Sequence, residues 1–329
     1  MAINNNRDRQ RTRVVYVPVN TGGGGSQEKI KMGETGLKFT STKFTEIPEI
    51  FDFSDVTSMS YMFSYCKSLI TVPPIDTSKV TKMDYMFENC QSLTNISPMD
   101  TSQVTNMEAM FAQCYSLTTI PKMDTSQVTN MARMFVSCRN LTAIPPIDTS
   151  QVTDMGGMFN GTSLTTIPPM DTSNVTWMGS MFDSCNHLTT IPKMDTSQVT
   201  SMGYMFAFCN SLTIIPEMDT SNVTRMNWMF NNCNNLTSIP EMDTSKVTEM
   251  DSMFWNCYSL TDLGGFTGLK VSIDLSGSSK LTHDSIMNVI NKAADVTASP
   301  ATLTLGSTNL AKLTDEEKAI ATAKGWTLA

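Results

Sequence analysis

The sequence is poor in the residues and motifs that catalysis requires. It holds two histidines among 329 residues, His187 and His283. Neither is spaced from a nucleophile or a paired carboxylate in a way that indicates a catalytic site. Its glycine run, Gly22–Gly25, lacks the Lys-Ser/Thr pair that completes a phosphate-binding loop. We therefore predict that the chain is not an enzyme and that it uses no cofactor.

Long apolar runs are absent as well. No stretch approaches the roughly 18 apolar residues that a membrane-spanning helix needs, so no membrane span is expected. The first residues, MAINNNRDRQRTR, contain neither an apolar segment nor a cleavage pattern, and they do not read as a secretory signal peptide.

Positive charge is scarce outside the beginning of the chain. The net charge is −8, while the first 26 residues carry four arginines and one aspartate, which leaves the remainder near −11. A body this acidic argues against nucleic acid as a partner.

One repeated pattern fills most of the sequence. The stretch DTSKVTKMDYMFENCQSLTNISPM at 76–99 recurs from residue 52 to about residue 263. Its first aspartate returns every 24 residues, with one step of 23, at positions 52, 76, 100, 124, 148, 171, 195, 219 and 243. A fixed step of this length is typical of a solenoid, whose coils must stack because one coil alone buries too little to fold.

Three local signals predict the path of each coil. The LTxIP run alternates apolar and polar residues and ends at proline, which indicates a short strand. Met83, Met86, Phe87 and Cys90 have the spacing of one helical face, and the VTxM segment before them is a candidate second strand. Asp-Thr-Ser predicts a turn in which the aspartate accepts backbone N–H groups. The predicted fold class is an α/β repeat solenoid of nine 23–24-residue coils with parallel short strands and short helical turns.

This frame resembles the BspA-like leucine-rich repeats, in particular the variant with MFxxC and SLTxIP. The resemblance covers residues 52–263, and a degenerate half-copy precedes it with Phe44, Ile47, Pro48 and Ile50. It implies a non-enzymatic surface, adhesion or host-interaction protein. The fifth copy departs from the pattern, because it reads MFNGTSL without the cysteine and one residue short, and we expect a kink or a loosened coil there.

Cysteine and methionine recur at fixed rungs. Eight cysteines occupy one position of the frame, which predicts a ladder of buried free thiols rather than a metal site, because a straight ladder does not converge on one ion. Most of the 27 methionines lie in the MxxM pair or just before the aspartate, which predicts core filling. The aspartate ladder predicts turn capping, with calcium binding as the alternative.

The two ends of the chain differ from the repeat. Residues 1–26 form an arm that is either a disordered tail or an anchor adding a strand to a partner's sheet. The candidate anchor residues are Arg7, Arg9, Arg11, Arg13, Val15, Tyr16 and Val17. Residues 27–51 are predicted to cap the first coil, and residues 264–329 to form an α/β C-terminal cap. That cap is expected to have strands at 271–275, 302–305 and 326–328, and helices capped by Thr282 and Thr314.

The variable positions of the frame carry a candidate ligand strip. Aromatic residues at equivalent rungs, Tyr61 with Tyr85 and Tyr204 with Trp228, are expected to stack on one face. The full candidate strip is Tyr61, Tyr85, Trp177, Tyr204, Trp228 and Trp255. It would bind a host surface glycan or protein, and packing between coils is the alternative interpretation.

The C-terminal segment NLAKLTDEEKAIATAKGWTL resembles segments that follow such repeats in tail- or capsid-associated virion proteins of gut bacteriophages. This resemblance implies a virion structural protein, such as a tail fibre or decoration, whose arm docks onto other virion proteins. The alternatives are a BspA-like adhesin on a bacterial cell surface and an intracellular protein-binding scaffold. The sequence leaves oligomerisation open.

Overall fold

The structure, a computed structural model, describes residues 13–14, 29–33, 37–39 and 44–329. The coils stack in parallel and in register. In each copy, the residue that directly follows Val-Thr forms a parallel β-bridge with its equivalent in the next copy. These bridges join Ser58, Lys82, Asn106, Asn130, Asp154, Trp177, Ser201, Arg225 and Glu249 in succession. The predicted leucine-rich-repeat-like solenoid is confirmed, and the second strand of each coil is reduced to this single bridging residue.

The regular strands of the solenoid are all short and all pair in parallel. They are β1 (Arg13–Val14), β2 (Ile30–Lys31), β3 (Leu37–Lys38), β4 (Phe51–Asp52), β5 (Thr71–Val72), β6 (Asn95–Ile96), β7 (Ser238–Ile239), β8 (Met242–Asp243), β9 (Asp262–Leu263) and β10 (Phe266–Thr267). The pairs are β1 with β3, β2 with β4, β5 with β6, β7 with β9 and β8 with β10. The LTxIP strands are thus β5, β6, β7 and β9, and in the central coils this run forms no regular strand.

The helical turns predicted for MxxMFxxC are wrong. In the second copy, Met86 N–H donates to Met83 O and Cys90 N–H donates to Phe87 O, while the intervening Phe87 N–H donates to Met110 O of the next coil. Tyr85 and Asn89 have positive φ, which an α-helix excludes. Two successive four-residue turns put the same side chains inside as a helical face would.

Phenylalanine forms a continuous stack through the core, which we call the Phe spine. Neighbouring rings lie between 5.0 Å (Phe39–Phe63) and 5.9 Å (Phe135–Phe159) apart and are nearly parallel. The spine comprises Phe39, Phe63, Phe87, Phe111, Phe135, Phe159, Phe182, Phe206, Phe230 and Phe254. Both methionines of every MxxM pair are buried beside it, which confirms their role as core filling.

The cysteine ladder is confirmed. All eight thiols are free and buried. Each donates a hydrogen bond to the carbonyl of the phenylalanine that precedes it by one coil, as Cys90 Sγ does to Phe63 O at 3.2 Å. Burial raises the pKa of Cys66 and of Cys138 to about 12. These thiols are therefore protonated at neutral pH and unreactive.

The fifth copy keeps its place in the stack, so the expected kink is wrong. Thr162 takes the rung of the missing cysteine, with its N–H donating to Phe159 O and its hydroxyl 3.6 Å from Cys185 Sγ. The Phe159 ring lies 5.9 Å and 5.8 Å from its two neighbours in the spine. The missing residue falls between Thr162 and Leu164, where the turn shortens without moving the core.

The Asp-Thr-Ser turns are confirmed. Asp124 Oδ1 accepts the Ser126 N–H at 3.0 Å and its hydroxyl at 2.7 Å, and the backbone bond lowers the pKa of Asp124. The threonine between them is buried and bonds across to the next coil. Thr125 Oγ1 lies 2.8 Å from both Asp148 O and Asp148 N.

We expect Thr125→Val to lower the free energy of unfolding by about 2 kcal/mol, because it removes both hydrogen bonds between the buried Thr125 hydroxyl and the backbone of Asp148 in the next coil. Valine keeps the shape and the β-branch, so the effect isolates the hydroxyl. Thr129→Val is the matched control, since the exposed Thr129 hydroxyl donates only to Thr105 O at 3.2 Å. Urea unfolding of both variants measures the difference, and equal losses would contradict the role of the buried hydroxyl.

The C-terminal residues form the predicted α/β cap. Its elements are β11 (Ile273–Asp274), α1 (His283–Lys292), β12 (Ala301–Thr304), α2 (Gly306–Leu310), α3 (Asp315–Ala323) and β13 (Trp326–Leu328), with a parallel sheet in the order β11-β12-β13. Thr282 caps α1, and Thr314 with Glu317 forms a capping box on α3. The apolar face of α1, with Ile286, Val289 and Ile290, is buried.

Polar contacts fasten the cap to the last coil. Ser285 Oγ accepts the Leu263 N–H at 2.7 Å, and Thr282 N–H donates to Thr261 O at 2.9 Å. Lys292 Nζ lies 2.7 Å from Glu241 Oε2 and also bonds Gly264 O. The cap therefore covers the apolar end of the stack and continues its backbone ladder. No helix among the described residues has the length and apolar content to cross a membrane.

His283 links the first turns of α1 and α3, and this contact predicts a pH dependence. Its ring nitrogens lie 3.2 Å from Asp284 Oδ1 and 2.8 Å from Glu317 Oε1, and these bonds raise the pKa of His283. Because the pKa of His283 is higher in the folded state than in the unfolded chain, the protonated ring stabilises the fold below about pH 6.5. This stabilisation is lost as the pH rises through the pKa of the folded state. We expect His283→Gln to lower the thermal midpoint more at about pH 5.5 than at about pH 8.5. An equal loss at both values would contradict an ionic contact.

Candidate functional site

Most of the predicted anchor lies outside the described residues, namely Arg7, Arg9, Arg11, Val15, Tyr16 and Val17. The backbone of Arg13 is described and pairs in parallel with Leu37 within the same chain. The anchor remains a prediction.

The aromatic residues of the predicted strip stack in pairs as expected. The rings of Tyr61 and Tyr85 are 4.5 Å apart, and those of Tyr204 and Trp228 are 5.8 Å apart, both nearly parallel. The Tyr85 hydroxyl donates to Glu108 Oε1, and burial together with this bond raises the pKa of Tyr85. The Tyr61–Tyr85 pair is therefore positioned by ring stacking and by the hydrogen bond from Tyr85 to Glu108.

The six aromatic residues do not form one continuous strip. Trp177 and Tyr204 line a groove at the middle of the solenoid, while Trp255 lies beside Asp274 and Gly277 of the C-terminal cap. The Tyr61–Tyr85 pair lies near the N-terminal end of the stack, several coils from Trp177. The structure thus separates three aromatic surfaces, of which the middle one is concave.

The concave surface has a floor made by three glycines, and we call it the glycine groove. Gly156, Gly179 and Gly203 occupy the same rung, directly after the first methionine, in three successive coils. The groove has a volume of about 580 Å³, which falls within the range of small-ligand sites. Glu108, Asn130, Arg133, Asp154, Asn160, Ser180, Ser201, Arg225, Asn227 and Glu249 also line it.

The glycines decide how Trp177 lies in the groove. A Cβ on Gly156 would come within 2.5 Å of Trp177 Cδ1, and one on Gly179 within 3.2 Å of Trp177 Nε1. The indole therefore packs against the backbone of the preceding coil at Gly156 and of its own coil at Gly179. It lies in space that a side chain would fill. With 41% of its surface exposed, Trp177 leaves part of its side chain open to solvent.

The charges of the glycine groove are mixed. Arg225 Nε lies 3.1 Å from Glu249 Oε1, and Asp154 Oδ1 accepts the Gly156 N–H at 2.8 Å. With Glu108 and Arg133, the lining has three carboxylates and two guanidinium groups. It offers hydrogen-bond donors and acceptors with little net charge.

A second groove, of about 720 Å³, runs along the Asp-Thr-Ser turns. Its carboxylates include Asp195 and Asp219, whose oxygens already accept the N–H groups of Ser197 and Ser221. Within the described part of the chain, no three His, Cys, Asp or Glu side chains are grouped as metal ligands. The aspartates therefore act as turn caps, and the calcium alternative gains no support.

The glycine groove was not among the sites predicted from the sequence. Its signal is the column of residues after the first methionine of each copy, in which Gly156, Gly179 and Gly203 follow one another. The arginines Arg133 and Arg225 stand in other columns, on either side of this run. Aligning the copies by column for small residues, as well as for aromatic ones, would have revealed the groove.

The fold and the groove define a repeat scaffold with a leucine-rich-repeat-like solenoid. The family model described as "Mycoplasma protein of unknown function, DUF285" matches residues 34–143, 57–165, 116–212 and 189–272. These matches span more than half of the chain, so the chain belongs to this family. None of the curated proteins compared with the chain matches it.

Several solved structures are similar to the chain. A leucine-rich repeat protein from Bacteroides ovatus has 17% identity and a TM-score of 0.43, over 80% of this chain and 74% of that one. A leucine rich cell surface protein from Faecalibacterium prausnitzii has 20% identity and a TM-score of 0.34, over 78% and 87%. A leucine-rich repeat protein from Eubacterium ventriosum has 14% identity and a TM-score of 0.36, over 75% and 82%.

Proposed function

We propose that the chain is a non-enzymatic adhesin of a bacterial cell surface, which binds ligands along the exposed face of its solenoid. The glycine groove carries this proposal, because it combines an exposed aromatic side chain, Trp177, with polar groups from several coils. The frame residues of each coil are buried in packing, so recognition falls to the variable positions that line the groove. The resemblance to BspA-like repeats supports the same function.

The chemistry of the described residues supports the non-enzymatic part of the proposal. The thiols are buried and protonated, so they cannot serve as nucleophiles. His283 is engaged with Asp284 and Glu317 at the surface of the cap, and the exposed His187 lies on a coil far from it in the chain.

The adhesin function is tested by attaching a fluorophore to the purified chain and measuring its binding to bacterial and host cells. Brief protease treatment of intact producing cells should release solenoid fragments if the chain is displayed on their surface. Saturable binding together with released fragments is the expected result. Absence of binding to any cell type would overturn the proposal.

The virion function is the second candidate, and the C-terminal resemblance to phage proteins favours it. None of the three solved structures reported above is described as a virion protein. Mass spectrometry of purified virions separates the two functions, because only a virion component co-purifies with the particles. Deletion of residues 1–26 would then release the protein from the particle without unfolding it, and retention would contradict an anchor in the arm.

A further inference from the structure

We infer that the glycine groove binds a neutral oligosaccharide, with one sugar ring stacked on the indole of Trp177. This inference deepens the proposed function and rests on it. The observation behind it is the close approach of the Trp177 indole to Gly156 and Gly179, which places a 41% exposed aromatic side chain in the lining of a polar groove.

The geometry fits the two kinds of surface that a sugar ring presents. The C–H face of a pyranose is apolar and packs against an aromatic face, whereas its hydroxyl rim needs donors and acceptors around it. Trp177 supplies the first surface. Arg133, Asp154, Ser201 and Asn227 supply polar groups around it.

The glycines lower the entropic cost of binding. A side chain at Gly156 would occupy the space of the indole, and a Cβ at Gly179 would lie in tight contact with it, so the indole packs against both backbones before a ligand arrives. Asn227 is placed in the same way, with its Oδ1 2.9 Å from where a Cβ of Gly203 would lie. A site ordered in advance retains more of its interaction energy as affinity.

Backbone pairing argues against an extended peptide as the occupant. Peptides that add a strand need unpaired N–H and C=O groups at a sheet edge. In the groove, Gly157 N–H donates to Gly179 O at 2.9 Å and Ser180 N–H donates to Gly203 O at 2.8 Å. These groups are occupied by the stacking of the coils.

Charge argues against a polyanion. Two guanidinium groups face three carboxylates in the lining, and Arg225 is already paired with Glu249. A nucleic acid or an acidic polysaccharide would meet at least as much repulsion as attraction. A neutral chain of hydroxyl-bearing rings satisfies both kinds of charged group through hydrogen bonds.

The test is calorimetric titration of the full chain with neutral gluco-, manno-, galacto- and chito-oligosaccharides of about three to six rings. We expect one series to bind, and Trp177→Ala to weaken that binding at least about tenfold. Gly156→Ala keeps the tryptophan but pushes its indole off the floor, so it should also weaken binding. Trp255→Ala is the matched control, because Trp255 is 54% exposed and lies outside the groove.

The outcomes separate this inference from the proposed function. Binding by none of the four series, or unchanged binding by both groove variants, overturns the assignment of the groove. Tighter binding of acidic oligosaccharides or of a peptide library overturns it as well. Attachment to cells can also be compared between the labelled unchanged chain and the labelled Trp177→Ala variant. If both attach, the adhesin function stands and only the groove assignment fails.

Discussion

We expect Phe206→Ala to lower the free energy of unfolding by about 3–5 kcal/mol, the cost of removing a fully buried aromatic ring. Phe206 lies in the Phe spine, with the rings of Phe182 and Phe230 each 5.6 Å away. Alanine leaves a cavity between two rings that cannot collapse onto each other, because the backbone ladder fixes the spacing of the coils. Urea unfolding followed by circular dichroism measures the loss.

Phe208→Ala provides the matched control within the same coil. Phe208 is 43% exposed and has a positive φ, which alanine would share, so only partial burial is lost. We expect a cost below about 1 kcal/mol for this variant. Because a long repeat array can unfold in parts, hydrogen exchange should also show faster opening of the coils beside position 206. Equal effects of the two variants would contradict a continuous stack as the main source of stability.

Periodicity made the architecture of this molecule predictable. A constant step brings equivalent residues onto one rung, so that the inward position of Cys90 or Phe87 in one copy is the inward position in every copy. The aromatic pairs followed from the same logic, since Tyr61 and Tyr85 occupy one column. The C-terminal cap was readable from local chemistry, because Thr282 and Thr314 are helix caps whatever lies around them.

The conformation of the MxxMFxxC segment was not predictable from its spacing. Apolar residues at i, i+3, i+4 and i+7 lie on one side both in an α-helix and in two successive four-residue turns. The choice depends on where the N–H groups find acceptors. In a stack, Phe87 N–H meets Met110 O of the next coil, and this lateral bond excludes the helix. A single copy of the sequence carries no sign of that neighbour.

The candidate site was predictable only in part, for a related reason. Aromatic residues such as Trp177 stand out in a sequence, whereas a groove consists of side chains that are missing. Gly156, Gly179 and Gly203 acquire meaning only when three coils are laid side by side and an indole is found resting on two of them. The shortened fifth copy shows the converse, because Thr162 takes the cysteine rung and the core accommodates the loss of a residue without a kink.

Oxidation of methionine to its sulfoxide should unfold the solenoid cooperatively. The two methionines of each MxxM pair are buried in every coil, in the same hydrophobic core as the Phe spine and the cysteine ladder. A sulfoxide is polar and needs a hydrogen-bond partner, which this apolar interior does not supply. Each coil supports its neighbours, so a few oxidised coils are expected to destabilise the whole array. Circular dichroism and intact-mass spectrometry during treatment with hydrogen peroxide follow structure and sulfoxide count together.

Met287 on α1 serves as an internal control for this experiment. It is only partly buried and lies in the C-terminal cap, outside the MxxM pairs, so we expect it to oxidise first and without loss of structure. The buried methionines should then oxidise together, as the circular dichroism signal falls, because the oxidant reaches them only when coils open. Gradual oxidation of all the MxxM methionines with the signal retained would contradict this prediction. It would show that the core admits polar sulfoxides, and that its stability comes mainly from the backbone ladder and the Phe spine.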